Sequence, residues 1–502
     1  MSGMKSLAKD AAIYGGSSIV GKTLNWLLTA LYAYTFHSQG EFGIMTNLYA
    51  FAALMIVVLT FGMETGLFRF ANKKDGDNKN EYDDNLVYST TLIAVGTVVL
   101  IFLVLALIFL KPLAIVIDPR IPQNYILLII IVLSIDAFAC IPFAYLRHKK
   151  RPLKFASLKL LFIALYILLN LFFLLLCPKL LETNPSLVNW FYSPNQEVAY
   201  VLIANLIATL IQSCFLIPEL TGFKYRFDRK LLNKMLKYSL PLLILGIAGM
   251  LNQTADKIIF PRVYPDQDEA FVQLGIYSAC FKIAVVMVMF TQAFRYAYEP
   301  FIFGKNKDKD DKKAYADAMK YFIIFGLAIF LGVMFYMDII KYFVAPSYYD
   351  GLPVVPIVMM GELFFGIYFN LSLWYKLTDK THWGAIFSII GCLLIVAINI
   401  IFIPIYGFMA CAWASFIGNF LIMTISYFVG QKKFPVAYDL KTIGLYFGLS
   451  LALYYAFVCI NLDNVFARLA LGSCLFLIYV AIALKRDVKL GAYFSKKSKP
   501  IL

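Results

Sequence analysis

The sequence predicts an all-α membrane protein of about fourteen transmembrane helices: two six-helix lobes and two further helices at the C-terminus. Three observations lead there. The 502 residues are 61% apolar, 17% aromatic and only 15% charged, with a mean hydropathy of +0.75. That is too little charge to cover the surface of a soluble chain of this length. Apolar runs near the ~20 residues that a helix needs to cross ~30 Å of hydrocarbon recur from end to end. Lysine and arginine collect in alternate connections between those runs, as a polytopic chain requires.

The first run, 10–34, contains Lys22 and Asn25 and lacks a small-residue cleavage site, so it reads as a retained helix and not a signal peptide. Runs at 44–70 and 86–110 follow, separated by Lys73, Lys74 and Lys79. The fourth and fifth, 122–146 and 153–177, are joined by Arg147, Lys149, Lys150 and Arg151. A connection at 178–196, the longest, leads to the sixth run, 197–219, and then to a basic segment, 220–237. Runs at 235–261, 271–303, 315–344, 352–377, 382–404, 406–429, 440–460 and 465–484 complete the set.

With the N-terminus inside, thirty-four of the 45 basic residues fall in inside segments. Only Lys111, Arg120, Lys179, Arg262, Lys341 and Arg468 fall outside, so both termini are expected in the cytoplasm. Lys22, Lys159, Lys257, Lys282 and Arg295 remain within helices. The formal charge of +15 therefore follows membrane topology, and no exposed basic face suggests nucleic acid. The eight cysteines lie in or beside apolar segments without metal-ligand spacing and read as packing residues. No connection is long enough to fold as an enzyme domain, and no catalytic constellation is visible.

The sequence echoes itself. Gly43-Ile44-Met45-Thr46, opening the second helix, resembles Gly275-Ile276-Tyr277-Ser278, opening the eighth. An offset of six helices gives both copies one orientation, as in carriers built from parallel repeats. The expected lobes are 1–222 and 223–433, with 434–502 forming the last two helices and a basic cytoplasmic tail.

Charges inside helices mark the candidate site, because one at mid-bilayer costs about 2.5–3.5 kcal/mol on insertion scales and normally faces a cavity or a partner. In the first helix Tyr14, Ser18, Lys22, Asn25, Thr29 and Tyr32 recur at steps of three and four, a single polar face. That face lines water or forms a hydrogen-bonded seam. Lys282 lies midway along the eighth helix with no acid one turn away, and Gln292, Arg295 and Glu299 make a second stripe. Arg295 either faces the cavity or pairs with Glu299. Fixed cations there suit a diphosphate moving through a low-dielectric passage. Glu64, Asp136, Asp256 and Glu362 are expected to balance these cations or to carry a coupling Na⁺ or H⁺. Asn252 and Asp256, one turn apart, offer oxygen ligands for Na⁺, though Asp256 could equally pair with Lys257. Lys159, near a cytoplasmic helix end, is expected to snorkel. No resident cofactor or firm metal site is expected.

Several stretches, in order, resemble one known family. They are Glu41-Phe42-Gly43, Gly62-Met63-Glu64 through Arg69-Phe70, Tyr238-Ser239-Leu240-Pro241, Asn252 with Asp256-Lys257, and Leu274-Gly275-Ile276-Tyr277. Lys380-Thr381, Asn399 and Ile403-Pro404-Ile405-Tyr406-Gly407 continue the series. Over residues 10 to 430 the chain is similar to the Wzx-type polysaccharide (O-antigen) flippases of the multidrug/oligosaccharidyl-lipid/polysaccharide (MOP) superfamily. The resemblance implies a MATE-like fold whose two lobes face a cavity opening alternately to each side. It implies a non-enzymatic flippase in the bacterial inner membrane, moving undecaprenyl-diphosphate-linked oligosaccharide from the cytoplasmic to the periplasmic leaflet for lipopolysaccharide or related surface polymers. Expected partners are that lipid, the bilayer, a polysaccharide polymerase and a chain-length regulator, with the monomer as functional unit. A multidrug or other small-molecule exporter on the same fold is the alternative, and a membrane polymerase or ligase a more distant one.

Overall fold

A computed structural model of the chain describes residues 2–72, 81–305, 312–378, 380, 382–460 and 462–487. The side chains of 2–15, 17, 18, 297 and 299–305 lie outside that description. The protein is 86% helical, with no strand among the described residues. The long helices, in chain order, begin with α1 Ser2–Thr35, α2 Gln39–Ala71, α3 Asp84–Ile108, α4 Gln123–His148, α5 Pro152–Thr183, α6 Glu197–Cys214 and α7 Arg229–Val263. They continue with α8 Ala270–Lys305, α9 Lys312–Phe335, α10 Val354–Leu377, α11 His382–Tyr406, α12 Phe408–Lys433, α13 Leu440–Cys459 and α14 Val465–Arg486. Among the described residues, thirteen helices are long and apolar enough to cross a membrane. The fourteenth expected span, α1, stands outside that set; Lys22 and Asn25 interrupt its apolar run.

Local chemistry moves several ends from their expected places. Ser38 caps α2 by accepting from the Glu41 N–H, which starts the helix at Gln39 instead of 44. Asp228 caps α7 by accepting from Lys230 N and Leu231 N, which starts the helix at Arg229 instead of 235. Helix α2 is not continuous. Phe61 (φ 34°) and Gly62 (φ 71°) are left-handed and break it, freeing carbonyl groups that lipid cannot satisfy. Gly62 O opens the second segment by accepting from the Gly66 N–H at 3.1 Å, and the Ser239 hydroxyl of α7 donates to it as well at 3.3 Å.

Two compact units emerge. The first contains residues 2–279 and 388–414. In it α4 packs against α2, α3, α5 and α6, while α7 runs along both segments of α2. Between lipid-facing helices the hydrophobic effect offers little, so association depends on close packing and interhelical hydrogen bonds. Here Val87, Tyr88, Leu92, Leu133, Ile141 and Met235 form the dry centre. Tyr88 closes it by donating to Glu219 O at 2.9 Å.

The second unit contains residues 280–387 and 415–487. Its α9 packs against α10, α13 and α14 around Phe322, Phe330 and Phe335. The end of α14 is fixed by Asp487, which accepts from Tyr446 OH at 2.8 Å and pairs with Lys320 at 3.2 Å. Tyr479 adds a bond to Ile324 O at 2.9 Å.

Candidate functional site

The face proposed along α1 divides in two. Thr29 and Tyr32 are buried, whereas Lys22 and Asn25 are exposed. Tyr32 OH donates to Tyr166 OH of α5 at 3.0 Å, and Tyr166 OH lies 3.4 Å from Tyr49 OH of α2. Asn205 Nδ2 of α6 donates to Tyr49 OH at 2.9 Å, and Thr209 Oγ1 reaches Asn205 Oδ1 at 3.3 Å. The Thr209 hydroxyl also meets the Asp136 carboxyl, which interacts with Lys159. A polar chain thus threads α1, α5, α2, α6 and α4 inside the first unit. The lower half of the α1 face is part of that seam. The side chains of Tyr14 and Ser18 lie outside the described residues.

Lys159 is half-buried, its Nζ 3.9 Å from the centre of the Phe143 ring, where a cation gains from the aromatic face and from Asp136. Beside it Glu64 pairs with Arg147 and accepts from the Cys140 thiol at 3.0 Å.

Asp256 is buried and already engaged. Lys257 Nζ approaches it at 2.9 Å and Tyr277 OH donates to it at 2.7 Å. Asn252 Nδ2 donates to Ser388 O at 3.2 Å, while its Oδ1 is buried with no hydrogen-bond partner among the described residues.

In the second unit the Arg295 guanidinium lies 4.4 Å from the centre of the Phe369 ring, and Lys376 Nζ lies 4.3 Å from the same centre. One aromatic ring therefore gathers two cations from α8 and α10. Arg295 is exposed and Lys376 half-buried. Lys282 and Gln292 of α8 and Glu362 of α10 are half-buried in this unit, and the Glu299 side chain lies outside the described residues. Two cations on one aromatic face concentrate positive charge where an anionic group can be attracted.

The sequence profile described as "Polysaccharide biosynthesis protein" matches residues 7–303. The chain belongs to that family. No curated protein matches it in sequence. Among solved structures, this family member is similar to one titled "Lipid II flippase MurJ, inward closed conformation", with a TM-score of 0.69 at 15% identity over 95% of this chain and 99% of that one. It is also similar to an inward-facing multidrug resistance MATE transporter of the MOP superfamily (TM-score 0.61, 13% identity, 81% and 94% covered). A third is a MOP superfamily transporter from Pyrococcus furiosus (TM-score 0.58, 14% identity, 86% and 98% covered). The fold is thus the MurJ/MATE fold expected from the resemblance.

Two groups in this family member escaped the sequence reading. Lys376 counted only as an inside charge, because nothing in the spacing ties it to Arg295, 81 positions away. Glu41 and Glu197, at the first turns of α2 and α6, share a hydrogen bond that joins distant segments. The Glu-Phe-Gly stretch was the available signal for the first of them.

Proposed function

We propose that this protein is a flippase that carries undecaprenyl-diphosphate-linked oligosaccharide from the cytoplasmic to the periplasmic leaflet of the bacterial inner membrane. Two lobes, 1–222 and 223–433, alternate in opening to each side, and the product feeds O-antigen or a related surface polysaccharide. Family membership and the shared fold support a carrier and not an enzyme. The observation that carries the choice of an anionic cargo is the Arg295–Phe369–Lys376 group. An exporter of cationic drugs would gain nothing from two cations on one ring. A diphosphate gains a charged hydrogen-bond donor for its lost hydration.

Lys22, Asn25 and Lys282 are assigned to cargo binding, with Tyr14, Ser18, Thr29 and Gln292 as further polar contacts. Glu64, Asp136, Asp256, Glu299 and Glu362 balance charge. Coupling to Na⁺ through Asn252 and Asp256 requires Lys257 to leave the Asp256 carboxylate; coupling to H⁺ requires only that the carboxylate be protonated. A polysaccharide polymerase and a chain-length regulator are the partners this role calls for, and a monomer suffices for the transport step.

Deleting the gene tests the reading. Prenyl-linked glycan should accumulate on the cytoplasmic leaflet, and accumulation on the periplasmic leaflet would point to a later step such as polymerisation. Replacing Lys22 and Lys282 by Ala should lower export at normal protein levels. Unchanged export would remove both from cargo binding.

A further inference from the structure

The two copies of the sequence echo meet. Gly43 of α2 and Gly275 of α8, the first residues of Gly-Ile-Met-Thr and Gly-Ile-Tyr-Ser, lie against each other in the first unit. A Cβ placed on either glycine would come within 3.1 Å of the other's backbone nitrogen. A Cβ on Gly43 would also overlap the Phe271 carbonyl oxygen, and one on Gly275 would overlap that of Gln39. The contact is nearly symmetric, backbone on backbone, and no side chain can yield to relieve it. Glycine is the residue that allows helices to approach this closely.

Polar ties surround the crossing, all between the α2 to α4 region and the α7 to α8 corner. Asn47 Nδ2 donates to Lys257 O at 2.7 Å. Arg120, held by Asp118 at 2.8 Å, donates to Pro261 O at 2.9 Å and to Gln267 O. Arg262 answers in the opposite sense, donating to Val116 O at 2.9 Å and Ile117 O at 3.1 Å. Arg120, in the connection before α4, thus reaches a carbonyl at the end of α7, and Arg262 of α7 reaches carbonyls at the end of the short helix Leu110–Ile117. These are two of the six basic residues that the charge pattern places outside, where a cation is otherwise scarce.

We propose that the Gly43–Gly275 crossing, tied by Asn47, Arg120 and Arg262, is the outer gate of the transport cycle. It parts when the carrier opens outward and re-forms before the next lipid is taken up. The inference rests on the alternating-access part of the function proposed above, but its test needs no substrate. Along α2, Gly43, Asn47, Ala50 and Val57 follow at helical spacing on one face, and Ala50 is buried at 4% exposure. An Ala50→Cys reporter would lie behind the gate.

Intact cells carrying Ala50→Cys, in a chain whose native cysteines, the exposed Cys459 among them, are replaced by Ser, should react slowly with a membrane-impermeant maleimide added outside. Adding Gly43→Ala, which denies the crossing its closest approach, should raise the labelling rate about tenfold, the change a shift of about 1.4 kcal/mol in gate equilibrium produces. If Gly43→Ala fails to accumulate, the Arg120→Gln, Arg262→Gln pair removes the ties without crowding the backbone and should act in the same direction. An unchanged labelling rate in whichever variant accumulates overturns the gate. Labelling only from the cytoplasmic side overturns its placement. Both outcomes leave the leaflet test of the cargo untouched.

Discussion

The Ser239 hydroxyl donates to the Gly62 carbonyl oxygen across 3.3 Å, at the point where α2 breaks. Two stretches that looked unrelated in the sequence, Gly62-Met63-Glu64 and Tyr238-Ser239-Leu240-Pro241, are here one joint. Arg69 extends it, its guanidinium 4.0 Å from the centre of the Tyr238 ring. The position is also tight: a Cβ on Gly66 would lie 2.9 Å from Ser239 Oγ. Ser239→Ala removes one hydrogen bond and should cost about 1 kcal/mol. Ser239→Val adds bulk where none fits and should cost about 1–3 kcal/mol. Thermal unfolding of the purified protein in detergent or nanodiscs should rank them wild type, Ala, Val.

The joint shows what the sequence could and could not disclose. Hydropathy placed the spans, because each helix must be apolar over its own length. Caps shifted ends by a few residues, as with Ser38 and Asp228. Contacts between helices were harder to see. The stripe on α1 predicted one polar face, but the burial of Thr29 and Tyr32 depends on Tyr166, contributed by a helix more than a hundred residues away. The glycine echo was visible as a repeat, yet the meeting of the two glycines was not.

Asp487 anchors the last helix through Lys320 and the hydroxyl of Tyr446. Asp487→Ala leaves a Lys320 side chain that is only 15% exposed without this partner. Removing one member of a buried pair costs about 3–5 kcal/mol at full burial, and a site at the end of α14 should lose less, about 2 kcal/mol. Limited proteolysis should then cut near residues 460–487 before the rest of the chain. Asp487→Asn keeps one acceptor oxygen, enough for one of the two donors, and should lie between Ala and wild type.

Asp118 links the connection before α4 to acid stability. Burial pushes its carboxyl up, but the hydrogen bonds from Arg120 together outweigh that and hold the group below its ordinary value of 3.8. A carboxyl lowered on folding stabilises the protein above its unfolded value and loses that contribution as pH falls through the folded one. The Asp118→Asn variant should therefore melt earlier than wild type near neutrality. The gap should narrow below about pH 4 and vanish at lower pH. A gap that persists at pH 2 would assign the effect to packing and not to charge.

Arg295 and Lys376 offer the sharpest separation of transport from folding. They come from different helices, α8 and α10, and each contacts Phe369 separately, so single substitutions can be compared at matched protein levels and melting temperature. A charge-assisted bond to a phosphoryl oxygen contributes about 2 kcal/mol, so each Ala variant should lose roughly thirtyfold in the rate at which prenyl-linked glycan reaches the outer leaflet. Arg295→Lys keeps the charge but gives up the planar fork that grips two oxygens at once, so it should fall between Ala and wild type. The double Ala variant decides whether the pair binds one group. Two cations on a shared diphosphate should give a combined loss different from the sum of the single losses, while independent sites should simply add. Phe369→Leu completes the set, since it keeps both charges and removes the ring that gathers them. Its export defect should match the single Ala variants at unchanged melting temperature, and wild-type export in Phe369→Leu would show that the ring does not position either cation for the cargo.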